Sequence, residues 1–572
     1  MKAKTDQAID EAKYTIFPNS EKRVKPYWTE NIKNLYEEKN KKHIHFRKNL
    51  TLENKLEYKK AERKFNKALK EEHYAYRNKM LNEINEDTNV NQMWNIVKTI
   101  GGSHQNKQNL EVLMNETLAN KFIDLNFVKE CDLDLNITNY NVEERRYVEP
   151  LNIISMLKTL KSRKDRSAAG TNKLTYCMLK NLKTDLIIKI LELANEAWIL
   201  ERIPDQWLTI KIVPVLKPNK DKMSEKSYRP ISLINVNLKL INIQIKNRIN
   251  NFIAEKNLLP SLSYGFKEYS SAVDCVNHLN SIISEAKRSK MIATTIFVDL
   301  TKAFDSVDIK ILLQNLDTIK LPAKILRWLH LYSTKRVVIL ETVNKNIIKE
   351  TNKGLPQGCP LSPTLFNLYT SKLHEITTGS TTLLQFADDF ALTITGTTIE
   401  EKANLVLETF RLELNILKIE LNPEKTACIL FNERFEDQIN INIDEIKIEQ
   451  KYNHKYLGYV IDSKLSHKPH VNYLATKTKK RINVIKIICK KKNGAHPKTA
   501  LKINKAIIRS QLDYGITLCG GIAKTNLLKL NTLYNSSRRC LRLLKSTPTN
   551  VLYSEAGEMP LKFRADFLTK KR

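Results

Sequence analysis

Two adjacent aspartates, Asp388 and Asp389, lie between two apolar runs in the segment 383–392. This pattern predicts a tight β-hairpin with buried strands and both carboxylates at its tip. Burying two like charges side by side is unfavourable unless a cation compensates them, and such oxygen ligands suit Mg²⁺. Acidic pairs also occur in ordinary surface turns, so the pair alone leaves both interpretations open.

A second apolar run, residues 292–298, is rich in β-branched residues and ends at a single carboxylate, Asp299. A continuous run of this kind predicts a central strand that is covered on both faces. If this strand pairs with the hairpin, Asp299, Asp388 and Asp389 converge at one edge of a sheet. Three carboxylates placed in this way can hold two Mg²⁺ ions for in-line phosphoryl transfer.

Two cations flank another predicted hairpin. Residues 210–216 read as a strand, a hydrophilic loop follows, and residues 228–233 read as its return. Lys217 and Arg229 bracket the loop, which would aim both side chains at one place. The pair suits a triphosphate, the lysine as a point charge and the arginine as a bidentate fork.

A loop of unusual composition lies at 354–363, immediately before a helical pattern. It contains two glycines and three prolines in ten residues, which fixes its backbone and favours a helix start. Such a loop can bring its backbone against a base pair, and Gln357 offers both a donor and an acceptor there.

The composition limits the possible partners. The chain has 572 residues and a formal net charge of +33, which favours a polyanionic partner such as nucleic acid. The codon bias of an AT-rich genome is the alternative explanation, since Lys, Asn and Ile are all abundant. Eight cysteines without a Cys-x-x-Cys pair argue against a zinc knuckle or a disulfide framework. No long apolar run or signal region is present, so we expect an intracellular protein of nucleus and cytoplasm, neither secreted nor membrane-bound.

The first part of the chain, up to a boundary predicted near residue 105, is dominated by long charged helical patterns. Residues 58–80 carry a sparse apolar stripe at helical spacing, and the opposite face is positive. The positive residues are Lys59, Lys60, Arg63, Lys64, Lys67 and Lys70. A solvated helical hairpin and an arm that lies along a phosphate backbone both account for this pattern.

Four segments of the chain carry motifs in a fixed order. They are Phe-Val-Asp-Leu-Thr-Lys-Ala-Phe-Asp at 297–305, Gly-Leu-Pro-Gln-Gly at 354–358, Phe-Ala-Asp-Asp at 386–389 and Tyr-Leu-Gly at 456–458. In this order they resemble the reverse transcriptases of non-LTR (LINE-type) retrotransposons, most of all the jockey-type clade of insects. The resemblance covers most of the chain. It implies an α+β right-hand polymerase with fingers, a palm built on an antiparallel sheet, and an α-helical thumb, preceded by a basic helical N-terminal extension.

The same resemblance implies four domains. Residues 1–105 would be the basic helical extension, the linker region after a missing endonuclease, and residues 106–196 an N-terminal extension of the fingers. Residues 197–463 would be the fingers and palm of the reverse transcriptase, and residues 464–572 the α-helical thumb with the C-terminal segment.

The resemblance also assigns the catalytic residues. Asp299, Asp388 and Asp389 match the ligands of two catalytic Mg²⁺ ions, for which Mn²⁺ is the alternative. Lys425 matches the lysine that is proposed to protonate the leaving pyrophosphate.

Five further residues match positions that bind the substrate. Lys217 and Arg229 match the residues that hold the incoming triphosphate, and Phe304 matches the aromatic gate that collides with a ribonucleotide 2′-OH. Gln357 and Gly358 match the loop that packs on the template–primer duplex. Basic residues in the predicted thumb would grip the duplex by its phosphates: Lys477, Lys479, Lys480 and Arg481.

The expected function is an RNA-directed DNA polymerase that extends a 3′-OH primer on an RNA template, with a DNA primer or target and dNTPs as partners. Two segments depart from the family pattern, 168–172 in place of Pro-Gly-x-Asp and 263–267 in place of Gln-x-Gly-Phe-Arg. A catalytically inactive nucleic-acid-binding relic is therefore the main alternative. Phe304 disfavours an RNA-dependent RNA polymerase, and the thumb matches disfavour an intron maturase. Endonuclease activity would come from elsewhere or from a missing N-terminal part.

Overall fold

The computed structural model describes residues 27–84, 88, 90–100, 116–130, 145–165, 167–218, 220–342, 345–431, 438–489, 494–516, 524–539, 544 and 546–571. The start of the predicted extension, residues 1–26, and the predicted boundary near 105 lie outside these residues. The chain divides into two units, one formed by residues 1–105 with 467–572 and the other by residues 106–466. In the described part of the chain, none of the helices has both the length and the apolar character needed to cross a bilayer.

The unit of residues 1–105 and 467–572 is helical in its described part. Its helices are Glu30–Lys48, Leu52–Asn82, Val90–Ile100, Lys468–Ile488, Pro497–Asn504, Ser510–Asp513, Lys524–Arg539, Thr549–Ala556 and Leu561–Lys571, with a π-helical turn at Lys505–Arg509. The first two helices form the hairpin that the charged pattern predicts. Phe65 of the second helix packs against Tyr36 of the first, with ring centroids 5.7 Å apart. The six cations of the predicted positive face are exposed.

A buried ion network holds the C-terminal helices of this unit together. The Glu558 side chain is only 3% exposed and pairs with Arg538 and Arg509, each at 2.8 Å. Tyr534 donates a further hydrogen bond to the same carboxylate. Because a buried carboxylate needs such partners to offset its lost hydration, this network fixes the segment after Thr549–Ala556 against the helix that carries Arg538 and Tyr534.

The unit of residues 106–466 contains the sheets. Its strands are β1 (Thr209–Leu216), β2 (Tyr228–Leu233), β3 (Ile292–Val298), β4 (Arg336–Glu341), β5 (Asn346–Thr351), β6 (Thr381–Phe386), β7 (Asp389–Gly396), β8 (Ala427–Phe431), β9 (Asn442–Ile443), β10 (Ile446–Lys447), β11 (Glu449–Gln450), β12 (Asn453–Tyr456) and β13 (Tyr459–Asp462). They form a four-stranded sheet in the order β2-β1-β4-β5, a five-stranded sheet in the order β11-β8-β3-β7-β6, and two two-stranded sheets.

Helices cover these sheets. They are Glu116–Asn126, Arg145–Val148, Ile153–Ser162, Tyr176–Lys180, Thr184–Ile199, Asp205–Leu208, Val236–Lys256, Ala272–Arg288, Ile309–Thr318, Ala323–Thr334, Ser362–Tyr369 and Ile399–Ile416, with 3₁₀ turns at Glu225–Ser227 and Ser371–Ile376. Trp198 and Trp328 are fully buried in the core between them, and Trp328 Nε1 donates to Asn242 Oδ1 at 3.2 Å.

Strand β3 is the centre of the five-stranded sheet, as its apolar run predicts. It pairs antiparallel with β7 on one side and with β8 on the other, and residues 293–298 are all buried. The predicted hairpin is also present, since β6 and β7 pair antiparallel with Phe386 opposite Asp389. The register therefore brings the C-terminal end of β3 beside the turn of the hairpin.

Candidate active site

Three carboxylates meet at the end of the five-stranded sheet. Val298 lies opposite Phe390, so Asp299 comes next to the turn that carries Asp388 and Asp389. Desolvation, together with the charges of Asp388 and Asp299, raises the pKa of Asp389 to about 6. Burial also raises the pKa of Asp388, with an additional rise from Asp299. Repulsion among the three groups shows that the fold concentrates negative charge here.

A lysine already compensates part of this charge. Lys425 Nζ lies 3.1 Å from Asp299 Oδ2. The loop before β8 holds this lysine in place, because Asn422 N donates to Asp299 O at 2.9 Å and Asp299 N donates to Thr426 Oγ1 at 3.3 Å. The structure therefore places Lys425 beside Asp299, and its predicted role in protonating pyrophosphate stays a prediction.

The acidic set fits a divalent cation in its chemistry. All its donors are oxygen atoms, as Mg²⁺ prefers, and the mutual repulsion of the carboxylates is the condition that a cation relieves. Among the described residues, no three His, Cys, Asp or Glu side chains stand close enough together to hold a metal ion as they are. Asp299, Asp388 and Asp389 are the residues that would hold the cation.

Asp299 and Asp388 face a cleft of about 880 Å³ whose other wall is basic. Arg229 lies opposite Val215 in the β1–β2 hairpin, and Lys217 follows β1, so both predicted cations line the cleft together. Burial lowers the pKa of Lys217, and the nearby charges of Lys425 and Arg229 lower it further. This wall of the cleft is therefore a concentrated positive site that suits a polyphosphate.

An aromatic cluster forms another part of the cleft. Phe304 is stacked on Phe366, with ring centroids 4.7 Å apart and planes at 23°. Phe266 meets Phe304 edge-on at 6.5 Å, and its side chain is 52% exposed. Packing on both sides restricts the Phe304 ring, which lies five residues after Asp299.

The loop 354–358 makes two very close approaches that require glycine. A Cβ on Gly354 would lie 2.7 Å from Asp305 O, and one on Gly358 would lie 2.7 Å from Ser232 O. Both glycines have positive φ, +72° and +120°, which disfavours any side chain. Between them, Gln357 donates from Nε2 to the two Asp305 carboxylate oxygens at 3.1 and 2.9 Å.

The segment 263–267, which departs from the family pattern, braces the acidic hairpin. Tyr264 N donates to Gln385 O at 2.8 Å. A Cβ on Gly265 would lie only 2.2 Å from Ala387 N, so the two backbones are in direct contact. The other departing segment also packs on protein, since a Cβ on Gly170 would lie 3.0 Å from Ile234 C.

Comparison with known proteins identifies this part of the chain. Residues 215–461 match the family described as reverse transcriptase (RNA-dependent DNA polymerase). These residues form a reverse transcriptase domain. Enzymes of this family generally use divalent metal ions, in keeping with the acidic cluster.

Curated relatives support the same assignment. The chain is 25% identical over 406 residues to a probable RNA-directed DNA polymerase from transposon BS of Drosophila melanogaster, covering 69% of this chain and 45% of the relative. It is 23% identical to the RNA-directed DNA polymerase from mobile element jockey of Drosophila funebris, covering 70% and 44%. The predicted resemblance to non-LTR retrotransposon reverse transcriptases is confirmed. The chain spans a little under half the length of these relatives.

The reverse transcriptase domain contains cleft residues that sequence reasoning did not assign. Lys220, Lys226 and Lys302 line the cleft beside Lys217 and Arg229. Asp305 was also missed, although it closes the first motif. The signal for Lys302 and Asp305 was their place in the motif that begins at Phe297, but only the fold shows what they contact.

The basic residues predicted to grip a duplex belong to the helical unit and differ among themselves. Lys477, Lys479 and Lys480 are exposed on Lys468–Ile488. Arg481, in contrast, is half-buried: its guanidinium lies 4.8 Å from the centre of the Trp94 ring and donates to Ile507 O at 2.5 Å. Arg481 therefore packs within its own unit.

Proposed function

We propose that this chain is an RNA-directed DNA polymerase that extends a 3′-OH primer on an RNA template with dNTPs. The observation that carries the proposal is the cleft of the reverse transcriptase domain. One wall holds Asp299 and Asp388, the other holds Lys217 and Arg229, and Asp389 follows Asp388 at the start of β7. Acidic metal ligands opposite a polyphosphate site are what nucleotidyl transfer requires.

In this proposal the molecule is a right-hand polymerase. The four antiparallel strands β8-β3-β7-β6 of the five-stranded sheet would form the palm, and the four-stranded sheet β2-β1-β4-β5 would belong to the fingers. Residues 464–572 would form the thumb, with Lys477, Lys479 and Lys480 on the duplex phosphates, and residues 1–105 the basic extension. Location in the nucleus and cytoplasm and an endonuclease supplied from elsewhere remain predictions.

The roles of the acidic and basic residues follow from their chemistry. Asp299, Asp388 and Asp389 would hold two Mg²⁺ ions, which when bound supply activation of the primer hydroxyl and neutralisation of the leaving pyrophosphate. Lys217 and Arg229 would bind and orient the triphosphate. Lys425, which lines the cleft beside Asp299, would donate a proton to the leaving pyrophosphate.

A primer-extension assay tests the activity. Purified protein, an RNA template, a DNA primer, dNTPs and Mg²⁺ should give extended primer, and Asp388→Ala should give none. Asp185→Ala is a matched control, because Asp185 is an exposed carboxylate on the helix Thr184–Ile199. A protein that binds the template and primer yet extends nothing would support the inactive relic instead.

The aromatic gate is tested separately. Phe304 is fixed between Phe366 and Phe266, so shortening its ring should open space for a 2′-OH without moving the carboxylates. Phe304→Val should therefore incorporate ribonucleotides more readily than the natural protein. An unchanged ratio of dNTP to rNTP incorporation would contradict the gate assignment.

A further inference from the structure

The helix Ile399–Ile416 is apolar on two opposite faces. Its inner face packs into the core through residues three or four apart: Ile399, Ala403, Leu407, Phe410 and Leu414. A second row on the other face, Leu405, Leu412 and Ile416, is 69%, 52% and 64% exposed. We call these three residues the outer row. A helix that is apolar all round is normally covered on both sides, and clustered exposed apolar side chains mark an interaction surface.

Charged side chains flank the outer row. On one flank Arg411 neutralises Glu408, to which its Nε and Nη2 donate at 2.9 and 2.6 Å. On the other flank lie Lys402 and Glu413, and neither forms an ion pair with a residue that the structure describes. They are about three helical turns apart, so they stand at opposite ends of this flank. A partner that fits this surface must therefore offer an acid at one end and a base at the other.

The same helix of a second copy matches this pattern when it runs antiparallel. In such a two-fold arrangement each flank meets the same flank of the other helix. The register that sets Leu405 opposite Leu412 of the second copy also brings the second copy's Glu413 to within about 3 Å of Lys402 along the helix axis. Symmetry repeats both contacts at the other end of the pair. One register therefore buries the leucines and joins the two unpaired charges.

We propose that the outer row is a homodimer interface, in which the helix Ile399–Ile416 packs antiparallel against the same helix of a second copy of this chain. The outer row forms the dry centre of the interface. Lys402 of each copy pairs with Glu413 of the other, and this charge complementarity is what selects a second copy as the occupant. The interface lies outside the cleft residues, and the proposal does not depend on the polymerase function.

Analytical ultracentrifugation tests the association. Natural protein freed of nucleic acid should sediment with twice the mass of one chain, at physiological salt, where repulsion between two chains of charge +33 is screened beyond about 8 Å. Leu412→Asp should raise the dimer Kd about a hundredfold, because it places a carboxylate in the dry centre from both copies. Leu186→Asp is the matched control, because Leu186 is a 43% exposed leucine on the helix Thr184–Ile199, and it should leave the Kd unchanged.

A charge exchange tests the register. Lys402→Glu and Glu413→Lys should each raise the Kd about tenfold, since symmetry brings like charges together at both ends of the interface. The double variant restores opposite charges and should return the Kd to within about threefold of the natural value. All three variants change side chains at the surface of the helix, so each should keep the circular dichroism and thermal midpoint of the natural protein.

A cross-link gives the last readout. Thr409 lies beside the two-fold axis in this register, so Thr409→Cys should form a disulfide-linked dimer under mild oxidation, whereas Asp185→Cys, at an exposed site on another helix, should not. A monomeric natural protein would overturn the proposal, even one whose outer row captures a different protein. A Leu412→Asp dimer as tight as the natural one, or a double charge variant that adds the two single losses, would overturn it as well. None of these outcomes alters primer extension, which tests the polymerase function separately.

Discussion

The repulsion within the acidic cluster makes a quantitative prediction about stability. Asp389→Asn removes one of three mutually repelling charges while keeping the shape of the side chain. The rise in the pKa of Asp389 from 3.8 to about 6 corresponds to about 3 kcal/mol at 1.36 kcal/mol per pKa unit. Because the side chain is exposed at the turn, solvent screening reduces the expected gain to roughly 1 kcal/mol.

The sign of the pH dependence follows from the same shift. The folded-state pKa of Asp389 lies above the unfolded-state value, so the charged carboxylate destabilises the fold above pH 6, and this effect fades as the pH falls from about 6 to 3.8. Asp389→Asn should therefore be more stable than the natural protein at neutral pH, and its advantage should shrink at about pH 5.

Hydrogen exchange of the β6–β7 amides, together with urea unfolding at both pH values, measures this difference. Glu192→Gln serves as the control, because Glu192 is an exposed carboxylate on the helix Thr184–Ile199 and its loss should change little. The same Asp389→Asn variant should extend no primer. A variant that is less stable than the natural protein at neutral pH, or a gain of equal size at both pH values, would refute the reasoning.

Three further outcomes are expected. Glu558→Gln should lower the free energy of unfolding of the helical unit by about 3–5 kcal/mol, because it leaves buried cations without their carboxylate. The control Glu555→Gln, at an exposed site, should not lower it. Equal urea midpoints for the two variants would contradict this prediction. Gly265→Ala should abolish primer extension, since its Cβ would lie 2.2 Å from Ala387 N, whereas Gly379→Ala meets nothing within 4 Å and should remain active. Mg²⁺ should raise the thermal midpoint of the natural protein by mass action and raise that of Asp388→Asn less; equal shifts would argue against metal binding at the turn.

Local patterns were enough to predict the elements that carry the acidic residues. The apolar run before Asp299 and the runs that flank Asp388 and Asp389 each specify a buried strand by composition alone. The hairpin that brings Lys217 near Arg229 was predictable for the same reason, since its strands are separated only by the hydrophilic loop 217–227. In each case the information lies within a few residues of the side chain concerned.

Contacts between distant segments were not predictable in this way. Asp305 and Gln357 are 52 residues apart, and their hydrogen bonds depend on how the loop 354–358 packs against the segment after β3. The parallel pairing of β1 with β4, with Thr209 opposite Val337, likewise leaves no local trace. The basic pattern of Lys468–Ile488 did not reveal that Arg481 turns inward. A helical repeat predicts the face of the helix on which a residue lies, but not which residues pack against that face.

The hydrogen bond between Ser232 N and Gln357 O has a mechanical consequence. Ser232 lies only three residues after Arg229 on β2, so the strand that carries the cation also carries the anchor of the loop. Any displacement of this strand is therefore passed to the backbone of Gln357. In the proposed function, a ligand that binds only at Arg229 would also shift the loop 354–358.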